Sequence, residues 1–413
     1  MKMLEDISVM QDALDQGQGI LRLTPTWVPR SFCVPGRRIK LHPDDYYVLG
    51  GERGGIDERW FSSTTPAKNG PLTGENEGLS AVVFTDGSQE KQFLLRDAVE
   101  ELKGALIGDR IWDEHQSWPM YSKFFDNMGP LPHHIHHNDE HAAKIGQKGK
   151  PEAYYFPPQV NNHGGDFPYT FFGITPGTTK EQILECLKNF TKGDNKITNY
   201  SSAFRLEPGT GWDVPPGMLH APGSMCTYEP QKASDVFAMY QSLVNEAIIP
   251  EELLWNGTPE DRMGDYNQLM EVIDWELNTN PNLLETRFMA PVLVKPENES
   301  DRRAMEGYVE KWICYRSHDF SAKELTVLPG QTVTIKDSAA YGMIMMQGHG
   351  TMGSWNIETP TMIRYGQLTQ DEYFVSEAAA KEGVKITNQS ATDPIVMLKH
   401  FGPKNPDLPA DIM

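Results

Sequence analysis

The stretch PLPHHIHHNDEHAAKIGQKGKPEAYYF, residues 130–156, packs five histidines into nine positions: His133, His134, His136, His137 and His141. The whole chain has 12, so nearly half of them sit here. Residues two apart on a β-strand face the same side, so His134 and His136 can aim both imidazoles into one cavity. Glu152, at the head of the strand-like run EAYYF, offers a carboxylate nearby. A fourth group comes from GTGWDVPPGMLHAPGS (209–224), where Pro215 and Gly217 enforce a turn and send His220 into the strand that follows. Three imidazoles and a carboxylate suit one divalent ion among Zn²⁺, Mn²⁺, Fe²⁺, Ni²⁺ and Co²⁺, and ligand type does not choose among these. His133, His137 and His141 are expected beside the site or at the surface. The competing reading is a polar loop with a coincidental turn.

Outward from this centre, the chain reads as short strands. Runs such as YYVLGG (46–51) and LSAVVF (79–84) are rich in β-branched and aromatic residues and are bounded by Gly, Pro and Asn. Helical spacing is found at 96–106, at 178–190 behind a capping Thr and over much of 245–288, and the polar lead-in at 1–20 is compatible with a helix. LVKPENESDRR (293–303) reads as a linker, and from about 305 the chain is again strand-like, with turns roughly every ten residues, the pattern of a sandwich or barrel. The expected organisation is a lead-in at 1–20, a metal-binding β domain at 21–244, a helical segment and linker at 245–304, and a second β domain at 305–413. In that last domain His349 and His400 stand alone, so it is expected to be metal-free and to serve packing or oligomerisation.

Among 413 residues, 38% are hydrophobic and 23% charged, an ordinary globular mixture. The net charge of -20 disfavours nucleic acid and anionic membranes, since no surplus of Lys and Arg is available to meet phosphates. Cys33, Cys186, Cys226 and Cys314 show no paired spacing, the N-terminus has no apolar leader, and no segment is long and apolar enough to span a membrane. A cytoplasmic location is expected, and a homo-oligomer is compatible with the composition.

The pairing of HxH…E at 134–152 with GxxxxxPxGxxH at 209–220 resembles the two metal motifs of the cupin superfamily. The long gap between His136 and Glu152 narrows the resemblance to type I mannose-6-phosphate isomerases. LGGERGGIDERWFSSTTPAKNGPLTG (49–74), YSKFFDNMGPL (121–131) and FFGITPGTTKEQI (171–183) are similar, in the same order, to that family's segments. The resemblance implies a mainly β, bicupin fold: two β-sandwich or jelly-roll domains with a helical segment inserted or linking them. It implies one metal ion, zinc first, on His134, His136, Glu152 and His220. His134 departs from the family's Gln at that place, bringing the set closer to other cupins. The family's phosphate-binding Ser is replaced by Pro132, and its Arg and Lys align with Asn245 and Glu251. A phosphate dianion needs charge-assisted donors, so a sugar without phosphate is expected.

Aldose–ketose isomerisation needs a cation to polarise the carbonyl and a base to carry a proton between neighbouring carbons. Lys150, Glu58 and Asp213 are the candidate bases, with Lys150 and Trp60 placed to touch the sugar. Lys150 and Glu58 carry the catalytic expectation. Arg59 or Arg205, if aimed into the cavity, would restore a phosphate preference. A different metal-cupin reaction (lyase, hydratase or dioxygenase) and a non-catalytic sugar-binding role are the alternatives. The expected partner is a small carbohydrate.

Overall fold

The computed structural model describes residues 7–86, 89–162, 165–295 and 305–413. The architecture is mainly β, built from antiparallel sheets. The first barrel packs a seven-stranded sheet on a five-stranded one. The seven-stranded sheet runs, in spatial order, Phe288–Met289, Gly211–Val214, Glu152–Tyr155, Thr227–Lys232, Met120–Phe125, Gly55–Phe61, Thr26–Arg30. The five-stranded sheet runs Ser202–Arg205, Tyr169–Phe172, His220–Ala221, His134–Ile135, Ala238–Met239. Phe125, Tyr154, Phe172, Trp212 and Val214 fill the space between them.

The second barrel sets a four-stranded sheet against part of a nine-stranded one. The nine-stranded sheet does not respect the expected boundary between 21–244 and 305–413. Ile20–Leu23 pairs with Glu372–Val375, Ile20 opposite Val375, and Ala81–Asp86 and Gln89–Leu94 extend the same sheet. Their apolar side chains therefore join a core shared by both halves, with Leu21, Val82 and Phe93 packed in the same cluster as Trp312, Phe374 and Leu398. The reason is burial. A strand as short as ILRL has no partner nearby in sequence and gains most by completing the open edge of a distant sheet.

The helices fall mostly where the spacing places them. Lys180–Lys188 starts from a capping box in which Thr179 and Gln182 exchange side-chain and backbone bonds. The expected helix at 96–106 is broken into Leu95–Leu102 and Gly104–Ile107 at Lys103, which sits at φ +52°. The helical segment opens with a hairpin, Leu243–Val244 against Ala247–Ile248, before its helices begin at Glu251–Leu254. The expected linker lies largely outside the described residues. Among the described residues no helix is long and apolar enough to cross a membrane.

Inside the second barrel, four buried charges replace apolar packing. Lys323 meets Asp337 at 2.8 Å and Glu310 at 3.4 Å, and Lys399 meets Asp337 at 2.7 Å and Glu310 at 2.5 Å. Two cations thus balance two acids, and Lys323 also lies 4.6 Å from the Trp312 ring centroid. Removing one member leaves an unpaired buried charge, which typically costs about 3–5 kcal/mol. Lys399→Ala is therefore expected to lower unfolding free energy by about that much in denaturant titrations. Burial opposes ionisation of Asp337, but the two lysines win and push its carboxyl down to about 2 from 3.8. A depressed carboxylate stabilises the fold above its unfolded value and ceases to do so as pH falls through the folded one. Stability should accordingly decline between about pH 4 and pH 2, and Asp337→Asn should flatten that part of the curve.

Candidate metal centre

Antiparallel pairing sets His220 directly opposite His134, with ring centroids 4.1 Å apart. His136, two residues further along the chain, puts its ring 5.1 Å from each of the other two. The ligand-capable atoms of His134, His136 and His220 all lie within 4.8 Å of one another, and all three residues are buried. The turn before His220 depends on Gly217, at φ +81°, where a Cβ would stand 3.1 Å from Asp274 and 3.2 Å from the Val272 carbonyl. Asn278, buried in the helical segment, clamps that turn by donating to the Gly217 carbonyl at 2.7 Å and accepting from the Leu219 amide at 2.8 Å.

The hydrogen bonds of the rings fix their tautomers. Nδ1 of His134 is 2.7 Å from the Pro132 carbonyl, Nδ1 of His136 is 2.8 Å from the Val236 carbonyl, and Nδ1 of His220 is 2.9 Å from the Met218 carbonyl. A carbonyl only accepts, so each Nδ1 carries the proton and each Nε2 of a neutral ring presents a lone pair. Burial holds His134 well below its usual range and pushes His136 down to about 3, so both are neutral at pH 7. Facing these lone pairs is Glu152, with Oε2 3.0 Å from Nε2 of His136 and Oε1 3.1 Å from Nε2 of His220. Lys150 Nζ stands 3.4 Å from Nε2 of His136 and 3.1 Å from Glu152, but Nε2 of His220 is left without a hydrogen-bond partner, and acceptors this close favour a cation among them. The residues present therefore fit a divalent metal. Tyr154 donates to Glu152 Oε1 at 2.6 Å and orients it.

From Glu152 a chain of alternating charges runs along the seven-stranded sheet. Lys150 lies 3.1 Å from Glu152 and 3.6 Å from Glu229. Lys123 lies 3.3 Å from Glu229 and 3.1 Å from Glu58. Arg30 follows, 3.2 Å from Glu58 and 3.1 Å from Asp235. All of them line a cavity together with His134 and His136, and the opposite wall is apolar, with Phe32, Phe125, Leu131, Phe237 and Met239. Burial and the neighbouring Glu152 charge push the Glu229 carboxyl up to about 8. Asp57 also reaches this wall, because the pairing of Thr26–Arg30 with Gly55–Phe61 shifts register between Val28 and Pro29, a β-bulge that turns an extra side chain inward.

The expected residues separate. His134, His136, Glu152, His220 and Lys150 meet at the cavity. Glu58 reaches it too, but Arg30, Lys123 and the Trp60 indole at 2.7 Å occupy its oxygens. Trp60 itself is fully buried, stacked on Tyr121 at 4.6 Å between centroids, and does not line the cavity. Asp213 is held by Arg287 at 2.6 Å, away from the cavity. Arg59 points the other way along its strand, to Asp371 and Glu372 of the second half, and Arg205 is exposed. Asn245 lies in the hairpin turn and Glu251 accepts from Trp255, and neither lines the cavity. Of the outer histidines, His133 and His137 are buried beside the site, His133 against Ser201 at 2.9 Å, and His141 is half-buried. Lys123, Glu229, Asp235, Arg30 and Asp57 escaped the sequence reading. The signal for two of them was present: Lys123 in YSKFF and Glu229 in TYEPQ are charges in the middle of otherwise buried strands.

Fold and site together describe a two-barrel β protein, bicupin-like in fold, with one buried cluster of three histidines among the described residues. No model of a known protein family matches the chain, and no curated protein sequence matches it. Solved structures do. The mannose 6-phosphate isomerase of Bacillus subtilis is 15% identical, with a TM-score of 0.57 over 93% of this chain and 99% of that one. A point mutant of phosphomannose isomerase from Salmonella typhimurium is 12% identical, with a TM-score of 0.59 over 93% and 100%. A zinc-bound mannose 6-phosphate isomerase gives 11% and 0.59 over the same shares. The fold of this chain is thus the phosphomannose isomerase fold.

Because Tyr154 orients Glu152, Tyr154→Phe is expected to weaken divalent metal binding by about 10–100-fold. Competition with a chelator measures this, with circular dichroism confirming that the variant stays folded.

Proposed function

We propose that this chain is a metal-dependent carbohydrate isomerase that interconverts an aldose and a ketose lacking a phosphate group. The observation that carries the reading is the convergence of three tautomer-fixed Nε2 lone pairs and Glu152 beside Lys150 and Glu229. His134, His136, Glu152 and His220 would hold the metal. Zinc is favoured by the zinc-bound structure of similar fold, while Mn²⁺, Fe²⁺, Ni²⁺ and Co²⁺ also suit these ligands. When bound, the ion polarises the sugar carbonyl and the adjacent hydroxyl.

The chain's own residues would move the protons. Glu229 takes the proton from the carbon next to the carbonyl and returns it to the former carbonyl carbon. Lys150 passes the hydroxyl proton from one oxygen to the other, so that no atom is gained or lost. Lys123, between Glu229 and Glu58, positions Glu229. Glu58 anchors two cations and is the weaker candidate for the base. The apolar wall suits the C–H face of a sugar.

The absence of phosphate from the substrate is argued from charge. Glu58, Glu152 and Asp235 line the cavity against Arg30, Lys123 and Lys150, while burial holds Glu229 and Asp57 toward their neutral forms, and each of those cations is already paired with a carboxylate. A phosphate dianion would find acids without a free cationic donor.

Purified protein is expected to carry about one equivalent of divalent metal, lost in His136→Ala and His220→Ala. Plasma emission analysis of the three proteins checks this. With that metal supplied, free aldoses should be isomerised and their 6-phosphates should not. Glu229→Gln should lower kcat by about 10²–10⁴ while keeping its metal. Metal-free protein that also fails to reconstitute would end the enzymatic reading, and turnover that stops without oxygen would replace it with a dioxygenase.

A further inference from the structure

Four of the acids on the cavity wall are answered by a cation: Glu58, Glu152, Glu229 and Asp235 each lie within 3.3 Å of a lysine or arginine. Asp57 is different. It lines the same cavity and is 1% exposed, yet among the described residues it has no ion pair, and its Oδ1 is buried without a hydrogen-bond partner. The half-buried Cys33 thiol, a weak donor, is beside it. Its charged neighbours are Glu58 and Arg30, at the far end of the line of charges that begins at Glu152.

Strand geometry alone would not bring this carboxyl inward. In Gly55–Phe61 the alternation that sends Glu58 to the cavity and Arg59 away from it would send Asp57 away as well. The bulge facing Val28 and Pro29 reverses that. A buried carboxyl oxygen without a partner is costly, and an apolar side chain at this place would avoid the cost. A water can meet the oxygen in the free protein, and a ligand that displaces this water has to supply the same hydrogen bond.

The neighbouring donors are already engaged. Arg30 directs Nε to Glu58 at 3.2 Å, Nη1 to Asn69 at 2.9 Å and Nη2 to Asp235 at 3.1 Å. What stays open at this end is an acceptor, so the ligand group that fits it is an O–H donor. A hydroxyl also accepts, and so answers the carboxyl in either protonation state. A phosphate or carboxylate tail would bring further negative charge beside Glu58 and Asp235, and a methyl group would leave Oδ1 unanswered.

We propose that Asp57 determines specificity at the end of the cavity remote from the metal ligands, by accepting a hydrogen bond from the terminal (C6) hydroxyl of a hexose. The inference rests on the sugar reading given above and adds to it that the tail of the substrate is a free hydroxyl, neither deoxygenated nor acidic.

D-Mannose, D-glucose and D-galactose are the probes, each beside its 6-deoxy analogue, titrated calorimetrically into the metal-loaded protein. At least one sugar should bind the wild type about 10–100-fold more tightly than its analogue. In Asp57→Ala the two should bind within about twofold of each other. Asp57→Asn, which keeps an acceptor in the same place, should show a smaller difference than the wild type. Where the sugar is turned over, the loss in Asp57→Ala should fall on KM more than on kcat, because the hydroxyl is remote from the reacting carbons. Equal binding of every pair by the wild type, an equal loss for both members of a pair in Asp57→Ala, or no binding of any of the three sugars would overturn the proposal. Discrimination without turnover would uphold it and end the isomerase reading, and turnover without discrimination would do the reverse. If Asp57→Ala misfolds, the wild type and Asp57→Asn carry the comparison.

Discussion

Hydrogen-bond acceptors cannot be buried face to face without something positive between them, and the first barrel is arranged around that constraint. Backbone carbonyls of Pro132, Val236 and Met218 take the Nδ1 protons of three histidines and leave their Nε2 atoms as acceptors, that of His136 facing Lys150 and that of His220 without a partner. Glu152 then lies 3.0 and 3.1 Å from two of those atoms in a space that water scarcely reaches. Desolvated in this way, a carboxylate and neutral imidazoles have no low-energy state without a cation. The elements that bring them together (the paired strands of His134 and His220, the Gly217 turn and the Asn278 clamp) are spent on holding acceptors near one another. Such an arrangement raises the affinity of the proposed metal by removing the cost of assembling its ligands.

The period of a β-strand does the rest of the sorting. In Met120–Phe125, Lys123 and Phe125 turn to the cavity while Phe124 turns to the junction between the halves. In Thr227–Lys232, Glu229 faces the cavity and Tyr228 packs behind it. In Gly55–Phe61 the same alternation sends Glu58 inward and Arg59 outward to Asp371. One sheet thus carries the charged wall of the cavity on one face and the attachment of the second barrel on the other. The bulge at Asp57 is the exception, and it adds an acid to the cavity.

That alternation also explains what the sequence revealed. HxH was legible because two histidines two apart can only share a face, and His220 was legible because Pro215 and Gly217 fix the turn before it. Arg59 and Trp60 were ambiguous because strand parity cannot be counted from sequence until the register is known, and a buried tryptophan reads the same whether it packs or binds. Lys123 and Glu229 needed a partner across the sheet before their charges made sense, and that pairing is non-local. The sheet shared by the two halves was hidden for the same reason: Ile20–Leu23 pairs with a strand more than three hundred residues later, and nothing local to ILRL announces it. The bicupin architecture survived, since it depends on the number of strands and not on which sheet completes which.

The line of alternating charges from Glu152 to Asp235 bears on the proposed substrate. Each cation in it lies between two carboxylates, so the wall is close to electrically complete before any ligand arrives. A phosphorylated sugar would have to pull Lys123, Lys150 or Arg30 from an existing partner and leave that acid buried and unpaired, at a cost of several kcal/mol. A neutral sugar asks only for hydrogen bonds, which charged groups give without leaving their places. The shared fold does not contradict this. Phosphomannose isomerases of the same architecture are only 11–15% identical to this chain, distant enough for a common scaffold to carry a differently charged cavity.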